Sequence, residues 1–271
     1  MKKNKNLLIA HYHKSGEIRD DLVNFIKESK KSFNKIIFIS TKLKKIEHKK
    51  IYKYAKIISR PNYGYDFYSY KIGIKELFKN KKIKEKSIFF VASSIFFINP
   101  KKLINIFNTT KNIDKKIFGL TKSWEIEEHL QTDIFSIPTS YFMNKKFYDW
   151  WKKIGKFKKR STIIGKYELG FTKFLKRNNF NYDFWFKDNI HDYPDNYLKL
   201  IKKRIKTIFL KKIKIYKKNP THFYWKSIFT KFGIIKIDLI KINPNKINMT
   251  NLKKILGKKK FKIFETEAQK N

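Results

Sequence analysis

The chain has 271 residues, of which 41% are hydrophobic and 17% aromatic; this is enough apolar surface for one large α/β domain and argues against disorder. It contains no cysteine, which excludes disulfide bonds and thiolate zinc sites and favours a reducing cytosolic setting. The formal net charge is +43, from 65 basic and 22 acidic residues.

The basic charge has more than one interpretation. A net charge this high favours nucleic acid or an anionic membrane surface as a partner. The lysines are nevertheless spread along the whole chain, and the low content of glycine and proline (9 and 6 residues) is typical of a protein from an AT-rich genome. We interpret the charge mainly as a solvated basic surface, with an anionic membrane and anionic ligands such as nucleotide diphosphates as alternatives.

The apolar runs are too short for membrane spans, which need roughly 18 consecutive apolar residues. The first run, residues 7–10, is also shorter than the core of a signal peptide and is predicted to be a strand. The expected location is the cytoplasm, with peripheral attachment to the inner face of the cytoplasmic membrane as an alternative.

The first half of the chain alternates strands and helices. Residues 7–10 and 36–40 are apolar runs on either side of a segment with helical spacing of apolar residues, which predicts a β-α-β unit. Residues 57–59 and 87–92 add two more strands, the second of them buried. This alternation predicts a parallel sheet with right-handed crossovers.

The second half begins after Asn99-Pro100 and continues the α/β pattern. An amphipathic helix with a basic polar face is predicted at 198–216, and it is expected to pack against the domain rather than to lie on a membrane. A loosely held basic tail is expected after Asn251. The other elements predicted in this half are a helix at KKLINIF, strands at 117–120 and 134–137, a Trp-rich helix at 144–154 and a helix at 168–177.

The segment RPNYGYDFYSYKIGI combines rigid turn residues with ionisable groups after a short strand. Gly64 allows a tight turn, Arg60 suits a diphosphate or a base carbonyl, and Asp66 suits a ribose or a base N–H. Alternatively, Asp66 only caps the helix that follows.

Two further segments carry candidate site residues. His129 and Gln131 introduce polar side chains at the entrance of a buried strand, where they need partners that a ligand can supply; a purely structural histidine is the alternative. The segment NPTHFYW contributes His222 and Trp225, and core packing is the alternative for the tryptophan. No nucleophile elbow, P-loop, GxGxxG or HExxH motif is present, which removes the commonest hydrolase, ATPase, dehydrogenase and zincin interpretations.

Taken in order, these segments resemble the rhamnan synthesis protein F family of polysaccharide glycosyltransferases over residues 7–247. The resemblance rests on an opening strand ending in HYH, then RPNYGYDFYSYKIGI, SIFFVASSIFFINP, GLT followed by HLQTDIFSIP, a Trp-rich helix, KYELGFTKFLKRNNF, and NPTHFYW followed by KINP.

The resemblance implies an α/β fold with a GT-A-like, Rossmann-type mixed sheet flanked by helices, in a single compact domain with a basic C-terminal extension. The expected division is a domain at 1–250, with a nucleotide-binding half at 1–115 and an acceptor half at 116–250, followed by a basic tail at 251–271. The implied partners are a nucleotide-sugar donor and a glycan or lipid-linked glycan acceptor of O-antigen (lipopolysaccharide), capsule or rhamnan type. Nucleic acid is not expected, although a nucleic-acid- or membrane-surface-binding protein without catalysis is the alternative function.

By analogy with inverting enzymes of this fold, Glu168 is the expected general base, at the start of a helix whose dipole keeps it ionised. Alternatively, its charge serves only the helix. The remaining expected site residues are Arg60, Asn62, Gly64, Asp66, Ser93 and Ser94 for the donor, and His129, Gln131, His222 and Trp225 for the acceptor or pocket.

The resemblance also implies Mg²⁺ or Mn²⁺ held by a DxD-like motif at the end of the fourth strand. Here that position reads Ala92-Ser93-Ser94, so the strongest oxygen ligand of a hard cation is missing. This leaves three alternatives: other residues such as His222 hold the metal, basic residues such as Arg60 replace it, or the chain is inactive.

Overall fold

The computed structural model describes residues 3–80, 83–187, 219–244, 246 and 248–270. A central sheet of seven strands has the order β10-β6-β9-β4-β1-β2-β3, and two small antiparallel pairs, β5 with β11 and β7 with β8, lie beside it. The strands are β1 (Lys5–His11), β2 (Lys35–Ser40), β3 (Lys56–Ser59), β4 (Ser87–Ala92), β5 (Ile95–Phe97), β6 (Ile117–Gly119), β7 (Lys122–Ser123), β8 (His129–Leu130), β9 (Ile134–Pro138), β10 (Tyr182–Phe184) and β11 (Ile234–Lys236).

The direction of the strands decides which residues meet at one edge of the sheet. Strands β1 to β4 are parallel, whereas β9 is antiparallel to β4 and β6. The residues just before β9 therefore lie beside the carboxyl end of β4, and the backbone N–H of Ala92 donates to the carbonyl of Asp133 at 2.8 Å.

Helices cover both faces of the sheet, because β1, β4 and β9 are apolar on both sides and fully buried. Helices α1 and α4 pack on one face, and α3, α5 and α7 on the other. The helices are α1 (Asp20–Ser29), α2 (His48–Ile51), α3 (Tyr65–Leu77), α4 (Pro100–Thr109), α5 (Lys145–Lys152), α6 (Arg160–Ile163), α7 (Gly170–Arg177), α8 (Pro220–Phe223), α9 (Trp225–Phe232), α10 (Ile237–Lys241), α11 (Thr250–Leu256) and α12 (Lys258–Lys270).

The predicted α/β fold is confirmed: a mixed sheet of seven strands is flanked by helices. No helix in the described part of the chain is both long and apolar enough to cross a membrane. The basic helix predicted at 198–216 lies outside the described residues.

The C-terminal segment differs from the loosely held tail that its lysines suggest. Helices α11 and α12 bury Leu252, Phe261, Phe264 and Ala268 in a third apolar cluster, where Phe264 contacts Phe96 of β5 with ring centroids 4.6 Å apart. The apolar residues recur at helical spacing between the lysines, so these two basic helices have a buried face.

The helix predicted to start at Glu168 also differs. A helical segment already begins at Arg160, and residues Ile164–Leu169 form a π-helical turn that continues into α7. Glu168 consequently lies inside a helical segment, not at its N-terminus, and the predicted stabilisation of its charge by the helix dipole is wrong.

Candidate active site

Three polar side chains meet beyond the carboxyl end of β4. The Lys236 ammonium donates to the Asp133 carboxylate, and the Ser94 hydroxyl donates to the other oxygen of that carboxylate at 3.1 Å. Both partners of the ion pair are shielded, with 11% of the Lys236 side chain and 18% of the Asp133 side chain exposed. Burial alone would raise the pKa of Asp133, but Lys236 and Ser94 hold it below its ordinary value.

Two more carboxyl groups, those of Asp66 and Glu168, interact electrostatically with this pair. Burial and the charge of Asp133 raise the pKa of Glu168 to about 7. The same two causes raise the pKa of Asp66 to about 6. With a pKa of about 7, Glu168 is present in both its acid and base forms at neutral pH. We call Asp66, Asp133 and Glu168 the carboxylate cluster.

Two buried polar side chains beside the cluster lack partners among the described residues. The Tyr70 hydroxyl and both ring nitrogens of His222 make no hydrogen bond, although the tyrosine is fully buried and the histidine is 5% exposed. Burial and the Lys236 charge lower the pKa of His222 to about 4, so the ring is neutral at pH 7. Unsatisfied buried polar groups of this kind call for water or a ligand.

The guanidinium of Arg60, predicted to contact a diphosphate, is hydrogen-bonded within its own loop in the structure. Its guanidinium donates to the carbonyls of Pro61, Tyr63 and Tyr65 and, at 2.9 and 2.8 Å, to the Ser69 hydroxyl. These bonds occupy all the N–H donors of the side chain. Arg60 thus holds the loop that leads to Asp66, and it is a positioning residue.

Gly64 supports the same loop. It has a φ of 68°, and a Cβ at this position would lie 2.5 Å from the Cβ of Tyr68. Its N–H donates to the Phe157 carbonyl at 2.6 Å. The predicted need for glycine therefore arises from backbone conformation and close packing. Asn62, in the same loop, is exposed.

Other predicted site residues make their hydrogen bonds locally. The Ser93 hydroxyl accepts from the backbone N–H of Tyr12 and donates to its carbonyl, and these bonds join the ends of β4 and β1. The His129 ring bonds the Glu127 carbonyl at 2.8 Å, and Gln131 accepts from Thr121 at 2.8 Å. Trp225 is buried in the C-terminal apolar cluster, as the core-packing alternative states.

The residues at the end of β4 do not fit a divalent metal. The hydroxyls of Ser93 and Ser94 are engaged, and the carboxylate of Asp133 is paired with an ammonium group. Over the ranges that the structure describes, no group of three or more His, Asp and Glu side chains is arranged to hold a metal ion.

A cavity of about 380 Å³ lies apart from this cluster, between the end of α4 and β10, where Thr110, Lys116 and Trp185 are among its lining residues. None of the carboxylate cluster lines it. The pairs Ser94–Asp133 and Lys236–Asp133, together with the coupled Asp66 and Glu168, instead define the candidate site.

Of the residues in this candidate site, Asp66, Ser94, Glu168 and His222 are predicted from the sequence, whereas Asp133 and Lys236 are not. A signal existed for each. Asp133 directly precedes a buried strand, and Lys236 interrupts the apolar run GIIKIDLI, where a lysine is rarely buried without a partner. Only the fold brings the two residues together.

The chain resembles several proteins of known structure at low similarity. The inositol-1-phosphate CTP transferase of T. maritima is 11% identical, with 74% of this chain and 95% of that chain covered and a TM-score of 0.39. A glycosyltransferase involved in glycosylation of the major capsid of PBCV-1 is 12% identical, with coverage of 66% and 80% and a TM-score of 0.35. The glucosyl-3-phosphoglycerate synthase of Mycobacterium tuberculosis, in complex with Mn²⁺, UDP and phosphoglyceric acid, is 10% identical, with coverage of 44% and 43% and a TM-score of 0.31.

Sequence comparison is more specific. The uncharacterized protein y4gN of Sinorhizobium fredii is 30% identical over 120 residues, which cover 43% of this chain and 31% of that protein. The match thus spans about a third of the relative's length. The family model described as rhamnan synthesis protein F matches residues 36–270, and the chain belongs to this family.

Proposed function

We propose that this protein is a glycosyltransferase that moves a sugar, a hexose or deoxyhexose, from a nucleotide-sugar donor to a growing cell-surface polysaccharide. Membership of the rhamnan synthesis protein F family supports the reaction class. The observation that carries the proposal is the carboxylate cluster beside the carboxyl end of β4, in which the pKa of Glu168 is about 7. Nucleotide ligands of open α/β sheets bind at this edge.

Glu168 is the proposed general base. It removes the proton from the acceptor hydroxyl while that oxygen attacks the anomeric carbon of the donor. A base is most effective when its pKa lies near the working pH, and burial together with Asp133 brings Glu168 into that range. Its position in a π-helical turn agrees with such a role, because π-turns occur frequently at functional sites.

Asp66 and Tyr70 are proposed to contact the sugar or ribose hydroxyls of the donor. The Asp66 carboxyl accepts hydrogen bonds when ionised, and the Tyr70 hydroxyl, which lacks a partner among the described residues, both donates and accepts. The loop held by Arg60 sets the position of Asp66 at the start of α3.

The test is a screen of nucleotide sugars against the purified full chain. A cognate donor at about 100 times its Kd should raise the free energy of unfolding by about 2.7 kcal/mol, because it binds only the folded state. The same donor should release its nucleoside diphosphate when lipid-linked glycan acceptors are added. Failure of every nucleotide sugar to stabilise the protein would contradict the proposal.

Peripheral membrane contact is part of the proposal, because lipid-linked acceptors lie at a membrane surface. Helix α12 exposes Lys258, Lys259, Lys260 and Lys262, and such basic segments are attracted to anionic lipids. Sedimentation with anionic and with neutral vesicles tests this contact, and equal binding to both would contradict it.

A further inference from the structure

Strand β11 brings a lysine to the place where a metal ligand is expected. Ile95 of β5 pairs with Lys236 of β11, and the Ile237 N–H donates to the Ser94 carbonyl at 2.9 Å. The antiparallel pairing therefore fixes Lys236 beside the turn that follows β4. The ammonium group donates to Asp133, which directly precedes β9, the neighbour of β4 in the central sheet.

A buried ion pair that serves only the stability of the fold is energetically unfavourable. Removing both charges from water costs several kcal/mol, which a single pairing repays only partly. Isoleucines flank Lys236 on both sides in the sequence, and an apolar residue at position 236 would be buried without that cost. The pair is also next to His222, whose ring nitrogens have no hydrogen bond within the described residues. Both features indicate a ligand at this position.

On the basis of the proposed function, we propose that the Lys236 ammonium, held by Asp133, binds the diphosphate of the donor in place of a divalent metal. Transfer then needs neither Mg²⁺ nor Mn²⁺. Asp133 fixes the direction of the ammonium and keeps it charged. The neutral His222 ring, 5% exposed, supplies a further donor to the same ligand.

The step balances without a further reactant. The acceptor oxygen gives its proton to Glu168 and forms a bond to the anomeric carbon of the donor sugar. The bond between that carbon and the phosphate oxygen breaks, and its electron pair remains on the diphosphate. The Lys236 ammonium stabilises the charge that develops there, as a fixed positive group does in other sites of phosphate transfer.

Binding of nucleoside diphosphates, measured by calorimetry on the full chain, tests the inference without an acceptor. UDP, GDP, CDP and dTDP are compared in EDTA and in excess Mg²⁺ or Mn²⁺. The Kd of the nucleotide that binds should agree within about twofold between these conditions. Binding that requires a divalent metal would overturn the inference and leave the proposed glycosyltransferase function standing.

The matched variants separate a ligand contact from a structural ion pair. Lys236→Met combined with Asp133→Asn removes both charges and leaves no unpaired buried ion. This double variant should bind the nucleotide roughly 10- to 100-fold more weakly, as expected for the loss of a charged hydrogen bond. Lys226→Met, which removes an exposed lysine from α9, should bind as the wild type does.

Full binding by the folded double variant would overturn the inference, because Lys236 would then be only a partner of Asp133. Circular dichroism shows whether the double variant is folded. If it is unfolded, the Kd of the wild type in EDTA and in excess metal tests the inference instead. Absence of binding by every nucleoside diphosphate, with and without metal, would contradict the proposed function and this inference together.

Discussion

The Arg60 loop and the carboxylate cluster are two polar regions at the same edge of the sheet, and they are built in opposite ways. In the loop, every guanidinium donor of Arg60 has a protein acceptor within the segment 61–69. In the cluster, two carboxyl groups have raised pKa values, and the buried Tyr70 hydroxyl makes no hydrogen bond within the described residues. The guanidinium of Arg60 thus has all its hydrogen-bond partners within the loop, whereas the Tyr70 hydroxyl beside the cluster has none within the described residues.

This difference indicates a structural role for the Arg60 loop and a ligand-binding or catalytic role for the carboxylate cluster. A satisfied network stabilises a structure, and an unsatisfied one is retained where a ligand completes it. Changes in the loop should therefore lower stability first, and changes in the cluster should lower activity while stability is kept or increased.

The largest effect is expected for Glu168→Gln. The amide keeps the size of the side chain and removes its basicity, so turnover should fall by about 10²- to 10⁴-fold while donor binding is retained. Transfer assays and calorimetry on the same preparation measure the two quantities. Turnover close to that of the wild type would remove Glu168 from the mechanism.

Arg60→Met should mainly destabilise the protein. It leaves several loop carbonyls without their donor, at a cost of about 3 kcal/mol in the free energy of unfolding. Arg60→Lys should recover little, since one ammonium cannot reproduce the fixed fork of bonds. Urea denaturation measures both, with the exposed Arg177→Met as the control. Normal stability with lost donor binding would instead support a direct contact between Arg60 and the donor.

The transfer rate should depend on pH through Glu168. With a pKa of about 7, Glu168 is mostly protonated at pH 5 and mostly ionised at pH 8, so the rate should rise about 100-fold between these values. Asp66, with a pKa of about 6, titrates in the same range. The Asp66→Asn variant should keep the rise, at a somewhat lower pH because the charge of Asp66 contributes to the raised pKa of Glu168; a flat profile in this variant would contradict the assignment of the rise to Glu168.

The smallest effect concerns stability. The pKa of Glu168 rises from its ordinary value of 4.5 to about 7 on folding, so between these values the folded state binds more protons than the unfolded state. The free energy of unfolding therefore falls as pH rises through this window. Glu168→Gln cannot titrate at this position, so it does not lose this stability. The free energy of unfolding of the variant minus that of the wild type should therefore increase by on the order of 2 kcal/mol from pH 5 to pH 8.

Urea denaturation of both proteins at the two pH values measures this difference, in which the other titrating groups cancel. Lys145→Met, at an exposed position on α5, is a control that should show no such change. A constant difference between Glu168→Gln and the wild type would mean that folding does not alter the pKa of Glu168.

The sequence by itself predicted six of the seven strands of the central sheet, all except β10, and the main helices that precede residue 178. Apolar runs such as 87–92 and amphipathic segments such as 100–109 are local patterns, and local patterns are sufficient for elements of this length. It also determined the family through an ordered series of motifs, and it identified Asp66, Ser94, Glu168 and His222 as candidate site residues.

Only the tertiary structure decided which of these residues act together. Asp133 and Lys236 are separated by 103 residues, and they meet because β9 runs antiparallel to β4 while β11 pairs with β5. The protonation of Glu168 was decided in the same way, since its pKa depends on burial and on the charge of Asp133 rather than on its own helix. Spacing along the chain carries information about helix faces and strand faces, but electrostatic interactions depend on distances in space, and these are fixed only when the sheet is assembled.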